Sequence, residues 1–63
     1  MSLYDYKTAV GLEETSPSFY ALLMATIRKA GDVELAKIES VFPGVVAEVR
    51  ARYNAPGGML EGD

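Results

Sequence analysis

The chain contains no histidine, no cysteine and no tryptophan among its 63 residues. Without cysteine there is no thiolate nucleophile and no disulfide framework, and with histidine also missing there is no zinc site built from those ligands. Without histidine no imidazole shuttles protons near neutral pH. Long apolar runs are missing too. The longest nearly apolar stretch, Phe19 to Ile27, is interrupted by Thr26 and closed by Arg28 and Lys29. A membrane span needs ~20 apolar residues, so this stretch is too short. The N-terminus lacks a basic region followed by an apolar stretch, so no signal peptide is expected. These absences predict a soluble cytoplasmic protein with no membrane role.

What is present has a globular balance: 49% of the residues are apolar and 24% charged. Six Lys and Arg against nine Asp and Glu leave a net charge of -3. The length predicts a single domain over 1–63, with an ordered core at about 3–54 and a tail at 55–63. Met1-Ser2-Leu3 and Glu61-Gly62 look like residues that expression vectors leave behind, so no candidate site residue is drawn from them here. A domain this short buries only ~60% of its unfolded surface. With no disulfide or metal to staple it, tight helix packing or self-association must supply the rest.

No stretch alternates apolar and polar residues long enough for a strand, and every patterned segment reads as helix. Leu3, Tyr6 and Val10 share a face and predict a short first helix ended by Gly11. Leu12 to Thr15 then reads as a loop. Ser16 before Pro17 predicts the cap of a second helix, with Pro17 at its first position. That helix runs to about Ala30, stopped by Gly31. It is apolar nearly all round through Phe19, Tyr20, Leu22, Leu23, Met24 and Ile27, which marks it as central. Asp32 reads as the cap of a third helix carrying Leu35, Ile38 and Phe42, with Val41 widening the stripe. Pro43 opens a fourth helix to about Tyr53, with Glu48 and Arg52 paired four apart, acid first. Asn54-Ala55-Pro56-Gly57-Gly58 ends it. The fold class expected is all-α: a small bundle of three main helices plus a short N-terminal one. The expected core is Tyr6, Val10, Phe19, Leu22, Leu23, Ile27, Leu35, Ile38, Phe42, Val46, Val49 and Tyr53. A buried Leu23 should cost ~2–5 kcal/mol when cut to alanine.

Chemistry-bearing groups are sparse. Glu13 and Glu14 are adjacent on the expected loop and do not converge on one bond as an acid–base pair should. Ser16 and Ser18 have no histidine to activate them and are explained as helix-start residues. No enzyme is expected. Gly57-Gly58 follows a helix instead of preceding one, so it aims no helix N-terminus at a phosphate. No alternating Asp/Asn calcium loop is present. The reading therefore includes no cofactor and no metal.

Two binding readings remain. Tyr4, Tyr20, Met24 and Tyr53 carry aromatic or flexible apolar surface, and Tyr and Met favour interfaces. They are the candidate protein interface, with a symmetric homodimer as the first partner expected. The alternative is a helix-turn-helix DNA binder using the helix at about 43–53, in which Ala36, Ser40 and Val46 fall at suitable spacings. Its candidate contacts are Arg28, Lys29, Arg50 and Arg52. Base-reading residues belong early in the recognition helix, where this chain has Pro43, Gly44 and Val45. The acidic net charge also weighs against nucleic acid.

Ser16-Pro17-Ser18-Phe19-Tyr20-Ala21-Leu22, then Val41-Phe42-Pro43, then Ala51 through Gly58 as Ala-Arg-Tyr-Asn-Ala-Pro-Gly-Gly, resemble small all-helical proteins of gut bacteria. Those proteins often lie among phage or conjugative-element genes and carry no assigned activity. The resemblance implies an intracellular accessory protein of a mobile element. It brings no activity, cofactor or site residue with it.

Overall fold

The computed structural model describes residues 2–63. Four α-helices follow one another: α1 (Leu3–Glu13), α2 (Phe19–Lys29), α3 (Asp32–Val41) and α4 (Pro43–Tyr53). A short 3-10 turn over Pro56–Gly58 comes after them, and no strand forms among the described residues. The all-helical class expected from the pattern is what the chain adopts.

The first helix is longer than its sequence suggests. Ser2 caps it, its Oγ accepting from the Asp5 amide at 3.1 Å. Gly11 does not stop it: the helix spans 11 residues, as long as α2 and α4. An interior glycine costs only about 1 kcal/mol against alanine, and Leu12 and Glu13 are good helix formers that carry the helix on. The stop is Ser16, whose φ of 55° makes it the one non-glycine residue in the left-handed region among those described. The Thr15 and Ser16 amides close the end on the Leu12 and Glu13 carbonyls. Pro17 disfavours right-handed helix geometry at Ser16, so a turn there is natural.

Ser16 is therefore not the cap of α2. That role passes to Ser18, extended at φ -67° and ψ 160°, with its Oγ accepting from the Ala21 amide at 3.0 Å. At the other end Ala30 and Gly31 are both extended. Gly31, not Asp32, precedes α3, and it offers no side-chain cap. Asp32 and Glu34 instead lie in the first turn, where their charge suits the helix dipole. Phe42 ends α3 and begins α4. Its amide donates to the Ile38 carbonyl at 2.7 Å, and its carbonyl accepts from the Val46 amide at 3.2 Å.

The hub is α4, not α2. α4 packs against α2, α3 and the 3-10 turn, whereas α1 has no substantial packing with any of these elements. Ile27 of α2 and Val46 and Val49 of α4 form the buried core, and Val46 is fully enclosed. Leu23, Met24, Leu35, Ile38 and Val45 pack around it, half-buried. The bulky apolar residues of α2 lie towards its start: Phe19 is 63% exposed and touches Phe42, ring centroids 6.3 Å apart. Four residues expected in the core are on the surface: Tyr6, Val10, Phe19 and Tyr53. Tyr6 and Val10 belong to α1, which has no substantial packing on the other elements, and Tyr53 is the last residue of α4.

The molecule is open for its size. Its Cα radius of gyration is 13.3 Å, against ~10.6 Å for a compact chain of this length. Its accessible surface is 5264 Å² at 6.8 kDa, against ~4,000 Å² from the scaling of compact monomers. The exposed surface includes large apolar side chains: Leu3, Tyr4, Tyr6 and Leu12 of α1, and Val33, Val41 and Met59 elsewhere.

The core assignment has a direct test. Val46→Ala should cost about 2 kcal/mol, two methyl groups plus the space they leave. Val41→Ala, at a position 69% exposed, should stay within about 0.5 kcal/mol. Denaturant melts of both variants at low protein concentration check this, and equal losses would remove α4 from the centre.

Candidate functional site

Open clefts run along the seam between α2 and α4. One, of about 520 Å³, has Ile27, Val46 and Val49 in its floor, with Arg28, Lys29 and Arg50 also lining it. A second, of about 490 Å³, brings Met24 and Tyr53 together beside Arg28 and Arg52. A third joins Tyr20 and Met24 to Gly44 and Val45. The helical spacing of Tyr20 and Met24 puts both on the α4-facing side of α2, and glycine at 44 leaves the space next to them open.

The candidate interface residues are thus partly gathered. Tyr20, 55% exposed, and half-buried Met24 share one cleft, and Met24 and Tyr53 share the next. Tyr4 stands apart on α1, 79% exposed. Of the candidate nucleic-acid contacts, Arg28, Lys29 and Arg50 share the first cleft. Their charges sit there because Arg28 and Lys29 end α2 while Arg50 lies in the last turn of α4.

Arg52 is differently placed. Its Nε donates to Glu48 Oε2 at 2.9 Å, the pair its spacing predicts. Its two terminal nitrogens grip Asp63 at 2.7 and 2.8 Å, and Nη1 also donates to the Gly58 carbonyl. Gly57 and Gly58, at φ 62° and 70°, make the reversal that turns this carbonyl towards α4. The fork geometry of a guanidinium matches a carboxylate in this way. Arg50 pairs with Glu39 of α3 at 2.9 Å. Neither the Asp63 nor the Glu39 partnership was visible in the sequence, because each joins residues 11 apart through turns that local pattern does not define.

Asp63 is held at a pKa of about 2, mainly by the Arg52 guanidinium and further by the Leu60 amide, which donates to its Oδ2 at 2.8 Å. The same contacts, with Asp63 foremost and Glu48 second, raise Arg52 above the usual arginine range.

Among the described residues no three His, Cys, Asp or Glu side chains converge as metal ligands, and no helix is long and apolar enough to cross a membrane. No family model, curated protein or solved structure matches the chain.

The Arg52–Asp63 contact makes a pH prediction. Asp63 has a lower pKa folded than the ~3.9 of an unfolded aspartate, so its pairing contributes fully above about pH 4. The contribution is lost as pH falls through about 2. The Asp63 side-chain carboxyl carbon, followed by NMR, should titrate near 2 in the native chain and shift to ~3.9 in Arg52→Ala. A midpoint near 3.9 in both would show that the pairing does not persist in solution.

Proposed function

We propose that the protein is a non-enzymatic interaction module that works by self-association, burying apolar helix surface against a second copy. The observation that carries this reading is the surplus of surface. A 6.8 kDa chain exposing 5264 Å² has ~1,300 Å² more than a compact monomer needs. A standard protein interface takes ~800 Å² from each partner. The exposed apolar side chains lie on α1, and open clefts run along the α2–α4 seam. Large exposed apolar surface marks interaction sites. In the assembly the helices complete the bundle that one chain leaves open. Tyr20, Met24 and Tyr53 lie along the seam, and Tyr4 adds to it from α1. The cellular setting that goes with this reading is the cytoplasm, as an accessory protein of a mobile element, on the resemblance stated above.

DNA binding is the second reading, supported by the three cations of the first cleft. Two features weigh against it. α3 and α4 are joined by Phe42 alone, where a helix-turn-helix has a turn of about 3–4 residues. Arg52 is occupied by Glu48 and Asp63.

Light scattering over a concentration series tests the reading. The mass should rise from 6.8 kDa to twice that value and hold or strengthen as salt is raised, because apolar burial is not screened. A monomer at every concentration would contradict it. Duplex DNA binding that falls steeply with salt would favour the second reading.

A further inference from the structure

α1 is apolar on two sides. At about 100° per residue Leu3, Tyr6 and Val10 share one side, while Tyr4 and Leu12 lie across the helix. All five are exposed. Folded back on its own body, α1 would cover one side and leave the other bare. Residues 14–18, with left-handed Ser16 followed by Pro17, connect it to α2. Glu13 and Glu14 border the Leu3–Tyr6–Val10 stripe on its two flanks at the C-terminal end of α1. The stripe is therefore apolar with two carboxylates at its C-terminal end, while Lys7 lies nearer the middle on the Glu14 flank.

The first cleft of the α2–α4 seam is its complement. It has Ile27, Val46 and Val49 in its floor and Arg28, Lys29 and Arg50 beside them. Arg28 and Lys29 take no carboxylate partner among the described residues. The spare surface of ~1,300 Å² per chain also exceeds the ~800 Å² per partner that a stable dimer uses.

Building on the self-association reading, we propose that α1 of one copy docks its Leu3–Tyr6–Val10 face into the Arg28–Lys29–Arg50 cleft of a second copy. The exchange is reciprocal and closes a two-fold dimer. Glu13 and Glu14 meet the cleft cations of the partner. The Tyr4–Leu12 side turns towards the body from which α1 came, so both sides are covered. The apolar stripe supplies the burial, and the charges set which surfaces meet.

A charge exchange tests this. One variant carries Glu13→Lys with Glu14→Lys, the other Arg28→Glu with Lys29→Glu. All four positions are exposed, and circular dichroism checks that each variant stays helical. Each alone sets like charges against each other in its own dimer, and its dissociation constant should rise about tenfold or more. Mixed in equal amounts, they place lysines against glutamates in one contact and restore the original charges in the other. Sedimentation of the mixture should return a heterodimer near wild-type affinity. If the paired substitutions unfold the chain, single Glu13→Lys and Arg28→Glu run through the same cycle decide the matter. A wild-type dimer whose variants keep full affinity, or whose weakened variants are not rescued by mixing, would overturn the docking while leaving self-association intact. A wild type that stays monomeric throughout would overturn both.

Discussion

The enclosure of Val46 and Val49 against Ile27 is the contact on which the fold depends. Only these three residues are buried among those described, and two belong to one helix. α2 and α3 each pack on α4, and the 3-10 turn is held to α4 by Arg52. Pro43 makes this possible. It fixes the start of α4 one residue after α3 ends, which sets the two valines at the crossing. A core so small leaves little margin. Folding stability is a small difference between large terms, and each buried methylene is worth about 0.8 kcal/mol.

The small core and the large exposed surface are two aspects of one fact. Residues that would ordinarily thicken the interior, Tyr6 and Val10 on α1 and Phe19 at the start of α2, lie outside it. Apolar side chains on an unattached helix are held in helical form by capping and local hydrogen bonds alone, and an isolated helix of this length is marginal in water. Ser2 and the turn at Ser16 define the two ends of α1. On the proposed docking, the packing that makes it persist comes from a second copy. The assembly is on this account part of the fold, not an addition to a finished domain.

Much of the secondary structure was legible because its signals are local. Pro43 and the Asn54–Gly58 stop delimit α4 at the residues the structure uses, and Glu48 and Arg52 pair as their spacing requires. Ile27, Val46 and Val49 were all among the expected core residues. Other features were not legible. Gly11 can end a helix or ride within one, and the sequence around it does not fix the sign of its φ. Ser16 and Ser18 are equally good caps by residue type, and the choice turns on the left-handed conformation of Ser16. The central role of α4 escaped because apolar count favours α2, whereas two of the three buried residues, Val46 and Val49, lie on α4. Asp63 was hidden in a tail with no pattern of its own. Of the candidate interface, the helical spacing of Tyr20 and Met24 carried over into a shared cleft, while Tyr4 could be assigned to a helix but not to a neighbour.

The central claim is that α1 finds its packing on another molecule. Amide hydrogen exchange followed at increasing protein concentration tests it most directly. The account predicts that α1 amides exchange quickly in dilute protein and become protected as concentration rises, while α4 amides around Val46 and Val49 are protected throughout. Protection of α1 that is the same at every concentration would contradict it.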